Sequence, residues 1–223
     1  MKSLIFTESS IDGIIKGIKR QTRRIIKPQP PDNSGDWTLS QLIETTNRKE
    51  AGNEGKFRWV IIKDNRIVKK DTKYFSPRFK VGDICYIKEP FYFDIDGSIT
   101  YCRYEMVYKY GAYCKLFPER IDDIKWSNPL FMPEKCARLF IEITGVRAEN
   151  VCGISDEDCL KEGIYEREKW SLGKYYQYEW NGEMFQTPRE AFAAQFNAIN
   201  GKNAFENMVW VWVIDFKPLK QKP

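Results

Sequence analysis

The chain has 223 residues, 42% hydrophobic and 15% aromatic, enough apolar material for one sizeable core or a core with a small appendage. Its formal net charge of +5 suits an anionic partner without demanding one. It contains no histidine, which removes the commonest general base and the commonest metal ligand, so any catalysis must run on Lys, Asp, Glu, Thr, Ser, Tyr or Cys.

The opening "MKSLIFTESSIDG" has too short an apolar run for a signal peptide. Ser10 as N-cap, followed by Ile11, Ile14, Ile15 and Ile18 at helical spacing, predicts a short amphipathic helix. Gly17 supplies the left-handed residue that stops it. The next stretch, "KGIKRQTRRIIKP", then leaves as a turn or strand, with six cations between Lys16 and Lys27 and no acid. Residues 27–56 are polar and broken by Pro and Gly, which predicts a long surface excursion. "KFRWVIIKDNRIVKK" reads as a hairpin turning at Asp64 and Asn65. "FKVGDICYIKEPFYF" reads as a turn at Gly82-Asp83 followed by a strand, and "CARLFIEITGVRAENV" as a second strand rich in β-branched residues.

"ISDEDCLKEGI" predicts a short helix capped by Ser155 and ended by Gly163. The segment 164–186 interleaves aromatics with charges of both signs. Trp170, Tyr175, Tyr176, Tyr178 and Trp180 could stack bases, but the mixed charge favours a packed flap. "TPREAFAAQFNAING" is the clearest helix, with Thr187 as N-cap, Pro188 at N1, Glu190 completing a capping box, and Phe192, Phe196 and Ile199 as its buried stripe. "MVWVWVIDF" is apolar on both faces and is expected to be a central or barrel-lining strand. Many short strands with few short helices give an α+β or small β-barrel expectation.

The six cysteines, Cys85, Cys102, Cys114, Cys136, Cys152 and Cys159, include no C-x-x-C pair. Neither a zinc site nor a redox dithiol is therefore expected, and the reading is of idle thiols in a reducing, cytoplasmic setting with no metal and no cofactor. No apolar run approaches the length of a membrane span.

A basic tract is ordinarily a solvated face. Here it is pinned by the Gly17 stop on one side and by Ile25-Ile26 on the other, so its cations are held in place around one hydroxyl, Thr22, as in an anion-binding pocket. "GIKRQTRR" resembles the G-x-K-x-x-T-x-R signature of ASCH domains, relatives of the PUA fold. "VGDICYIKEPF" resembles the family's GD turn and strand, and "WSNPLFMPEKCARLFIEITGVRAENVCGISDEDCLKEGI" resembles a segment of its phage- and prophage-type members. The closing "NMVWVWVIDF" resembles the family's last strand. The resemblance covers nearly the whole chain as one domain, with insertions at about 28–75 and 164–186. It implies a PUA-like β-barrel whose cleft holds RNA or a nucleoside or nucleotide, and the acid-free basic stretch itself offers Arg20, Arg23 and Arg24 as the cations for such a ligand. One small bacterial branch hydrolyses the acyl amide of N4-acetylcytidine with a Lys, a Thr and a Glu, which fall on Lys19, Thr22 and Glu162. That branch lacks both insertions and the Met-Pro segment. The alternatives are therefore a binding module, an amidohydrolase, or a ribonuclease.

The residues themselves admit the same chemistry. A lysine among other cations has its pKa pushed down towards a useful base, so Lys19 could activate Thr22. In a flat strand positions 19 and 22 point to opposite faces, so they meet only if the chain bends. Glu162, in the last turn of its helix, opposes the helix dipole, which is explained by solvation, by pairing with Lys19, or by a role as general acid for a leaving amine. Glu89 on an apolar strand face is read as a cleft wall or as an exposed strand end, and Arg138 as a phosphate clamp or an inter-strand ion pair.

Overall fold

The computed structural model describes residues 1–31, 36–42, 52–93, 99–100, 126–169, 173–179 and 182–219. Cys102, Cys114, Trp170 and Trp180, as well as parts of both expected insertions, lie outside them.

The centre is a five-stranded sheet. In spatial order it holds β1 (Lys2–Ile5), β6 (Ile84–Lys88), β9 (Phe140–Asn150), β12 (Trp210–Leu219) and β2 (Gln21–Ile25), numbered in chain order. β1 runs parallel to β6 and every other pair is antiparallel. The apolar-on-both-faces reading of the last strand fits its place: β12 lies between β9 and β2, with Val211 and Val213 buried on one side and Trp212, Ile214 and Phe216 on the other.

Each face has its own core. On one, α1 (Glu8–Ile15) contributes Ile11 and Ile14, alongside a three-stranded sheet of β3 (Trp37–Gln41), β4 (Phe57–Lys63) and β5 (Arg66–Lys70) that contributes Trp37 and Trp59. On the other, α2 (Asp156–Lys161) and α3 (Pro188–Asn200) cover the sheet with Cys159, Ala191, Phe192 and Phe196. A hairpin of β10 (Tyr165–Lys169) and β11 (Gly173–Gln177) lies beside α3, with Tyr176 and Tyr178 packed on this second core as a flap. Two short strands, β7 (Tyr92–Phe93) and β8 (Ile99–Thr100), pair with each other.

The fold is thus α+β and rich in strands, but the sheet does not close into a barrel among the described residues. β1 and β2 are its two free edges. A side chain spans the gap in place of a backbone ladder: Arg24 Nη2 donates to the Ile5 carbonyl at 2.7 Å.

Local chemistry accounts for the element ends. Asp64 and Asn65 both take positive φ, the mirror-image turn that suits a tight hairpin. Thr187 and Glu190 form the expected reciprocal capping box. α1 starts earlier than its sequence suggests. Thr7, not Ser10, is the N-cap, and Ser10 is buried with its hydroxyl bonded back to Thr7. The polar excursion also carries structure: Trp37 anchors β3 to β4 and is 4% exposed. A single buried tryptophan there outweighs the surrounding breakers. Among the described residues no helix is long and apolar enough to cross a membrane.

Candidate functional site

The basic stretch bends where Gly17, at φ +72°, leaves α1. The amides of Ile18 and Lys19 both donate to the Gly13 carbonyl, and the Arg20 amide donates to the Lys161 carbonyl at the end of α2. The bend carries Lys19 to the C-terminus of α2 before β2 begins. Its aliphatic stem passes between two glycines: a Cβ on either Gly13 or Gly163 would lie 3.3 Å from Lys19 Cβ.

There Lys19 meets Glu162, 143 residues away in sequence, with Nζ 2.8 Å from Oε2. The same ammonium donates to the Glu162 backbone carbonyl. This resolves the conflict between Glu162 and its helix dipole, because a cation neutralises the side chain and caps the exposed carbonyl together. Both side chains are almost fully buried, at 3% and 4% exposure. Burial pushes the Lys19 amine well below its usual range, Glu162 restores only part of the loss, and Arg24 and Arg23 push in the same direction as burial.

The three arginines of the stretch have different fates. Arg23 is enclosed: it donates to Glu162 Oε1 at 3.0 Å, to Glu149 Oε1 at 2.6 and 2.8 Å, to Asp158 Oδ2 at 3.2 Å and to Gln21 Oε1 at 2.6 Å. Its guanidinium also lies 5.6 Å from the centre of the Phe192 ring. Three carboxylates neutralise it, so it acts as a structural hub. Arg20 is exposed, bonds back to the Gly17 carbonyl and stands away from the cavity below. Arg24, half-buried over the Phe6 ring, faces the gap between β1 and β2.

A cavity of about 330 Å³ opens at that gap. Lys19, Thr22, Arg23, Arg24 and Glu162 line one part of it, and Phe6, Pro90, Phe192 and Phe196 supply much of its apolar wall. Thr22 is 3% exposed, and among the described residues no hydrogen bond holds its side chain. Glu89 and Arg138 are not at this cavity. Glu89 is fully buried and forms a two-point ion pair with Arg138 at 2.9 and 2.8 Å, across the adjoining ends of β6 and β9. Its reading as an exposed strand end fails because Arg138 compensates the buried charge.

Gln21, Glu149 and Asp158 were not candidates from the sequence. Asp158 was legible only as a helix-start acid, and nothing in the sequence links Gln21 or Glu149 to Arg23. Among the described residues no group of three or more Cys, Asp or Glu side chains is placed to hold a metal ion. Comparison of the chain with protein-family models, curated proteins and solved structures found no match.

Proposed function

We propose that the chain is an ASCH-type, PUA-like protein that binds a modified nucleoside in the cleft between β1 and β2. The observation that carries this reading is the cavity of about 330 Å³, in which a buried Lys19–Glu162 pair and the Thr22 hydroxyl face apolar and aromatic walls. A few fixed polar groups in a mainly apolar pocket are what a heteroaromatic base requires. The neutralised Arg23 and outward Arg20 count against the basic stretch as a whole being a phosphate grip.

The placement of Lys19 beside Glu162 favours a second reading, in which the bound nucleoside carries an N4-acyl amide and is hydrolysed. A proton passed across the 2.8 Å contact turns the ion pair into a neutral amine and a carboxylic acid, a base and an acid side by side. The amine takes the Thr22 proton as Oγ1 attacks the acyl carbon. The carboxylic acid gives its proton to the departing N4 nitrogen, and the C–N bond breaks. Water then cleaves the Thr22 ester, releasing the carboxylic acid product.

Titration calorimetry with N4-acetylcytidine, followed by chromatography for cytidine, tests both readings. Wild type is expected to bind and to release cytidine. Thr22→Ala should bind without release, and Glu162→Gln should lower turnover on the order of a hundredfold. Failure to bind cytidine or its N4-acetyl form at millimolar concentration refutes the nucleoside reading. Binding with no release refutes the hydrolytic one alone.

A further inference from the structure

On the far side of Arg24 lies a second, larger groove of about 730 Å³. It shares only Ile5 and Arg24 with the first cavity. Four cations line it, Arg24, Lys27, Arg78 and Lys88, and no Asp or Glu does. None of the four forms an ion pair with a carboxylate among the described residues, in contrast to Arg23 nearby. Two are fixed by backbone carbonyls: Arg24 Nη2 donates to Ile5 O, and Lys88 Nζ donates to Leu130 O at 2.7 Å. The other two, Lys27 and Arg78, are exposed and flank the stretch that carries β3–β5. The floor is apolar, from Ile25, Phe79 and Trp212.

We infer that this groove is a phosphate subsite, so that the ligand is a phosphorylated nucleoside, with its base in the smaller cavity and its phosphates among Arg24, Lys27, Arg78 and Lys88. The inference rests on the nucleoside reading above and narrows it. Cations with no carboxylate ion pair of their own, beside a base-sized cavity, match a phosphate ester joined to the nucleoside. Arg24, common to both spaces, sits where sugar and phosphate would join. The phosphate could belong to a mononucleotide or to a single-stranded oligonucleotide, and the two share this chemistry.

The test compares binding of cytidine, its 5′- and 3′-monophosphates and a six-nucleotide single-stranded RNA to the full chain. Wild type should bind at least one phosphorylated ligand tenfold or more tighter than cytidine. The preference should weaken on the order of tenfold between about 50 and 200 mM salt if two or three phosphates are neutralised. A gain confined to a monophosphate identifies a nucleotide, and a gain confined to the RNA identifies a strand. Lys27→Glu with Arg78→Glu, both at exposed positions, should abolish the preference while cytidine affinity stays unchanged. Equal affinity for cytidine and every phosphorylated form, preference surviving the double variant, or equal competition by an acidic peptide would overturn the inference and leave the nucleoside reading standing. RNA binding lost in the double variant but not displaced by cytidine would keep the groove and sink the smaller cavity as its base site. Binding of none of these ligands would overturn both.

Discussion

At the scale of single residues, the site is governed by what it costs to bury charge. Lys19 and Glu162 leave water together and are stable there because each supplies the other's partner. Lys19→Met removes that partner and uncovers the Glu162 carbonyl. Arg23 still holds Glu162 Oε1, so the loss should lie near the low end of the usual penalty, about 3 kcal/mol in urea denaturation. Adding Glu162→Gln to Lys19→Met should recover part of it. A double variant less stable than the sum of the two singles would show that the pair is not the source of the cost. Two buried thiols behave differently, since desolvation pushes Cys85 up to about 11 and Cys159 up to about 12, which keeps both protonated and unreactive at neutral pH.

At the scale of elements, the C-terminus of α2 is the joint on which the site turns. Its C-cap is Glu162, and Gly163 follows at φ +97° with Lys19 packed against it. Gly163→Ala meets two obstacles at once: a left-handed backbone that alanine adopts at a cost, and a Cβ 3.3 Å from Lys19. The expected result is a loss of about 1–2 kcal/mol in stability, by the cost of a non-glycine residue in a sparsely allowed backbone region. A larger fractional loss of ligand binding than in a control Gly201→Ala variant is also expected. Gly201 too has positive φ, at +102°, but a Cβ there meets nothing within 4 Å. If the two variants behave alike, the Lys19 contact has no part in positioning the site.

At the scale of the whole molecule, an ionic network ties together strands of the central sheet and a helix that covers one face of it. Arg23 on β2, Arg147 and Glu149 on β9, Asp158 on α2 and Asp215 on β12 form one connected set. Burial pushes the Asp158 carboxyl up, but the Lys161 hydrogen bond and the Arg147 and Arg23 guanidinium groups outweigh it and hold the carboxyl below its usual range. A carboxyl held low in the folded state binds fewer protons than in the unfolded chain. Its contribution is therefore present above the ordinary value of 3.8 and is lost as pH falls through the lower folded value. Asp158→Asn should lower Tm at pH 7 and flatten the fall in Tm below about pH 4, the lower end of the ordinary carboxyl range. An acid limb unchanged by the substitution would assign acid unfolding to other groups.

The sequence by itself determined the elements whose signals are local. The Asp64-Asn65 turn, the Thr187–Glu190 box, the Ser155 cap and the two-faced apolar run of β12 depend on neighbours a few residues away, and the structure carries each of them. The sequence also placed Lys19, Thr22 and Glu162 together, through a motif resemblance and an anomaly, a carboxylate at the wrong end of a helix dipole. Tertiary structure alone decided which cations of the basic stretch are paired with carboxylates. Read as a line, its arginines are equivalent. In the fold, Arg23 meets carboxylates from β9 and α2, Arg20 turns to solvent, and Arg24 bridges two sheet edges. It likewise decided that Glu89 pairs with Arg138, that Trp37 pulls a polar excursion into a strand, and that among the described residues the sheet stays open between β1 and β2. The physical reason is the same in each case: Coulombic pairing and burial act between groups close in space, and residues from 19 to 143 positions apart reach that distance only after the chain has folded.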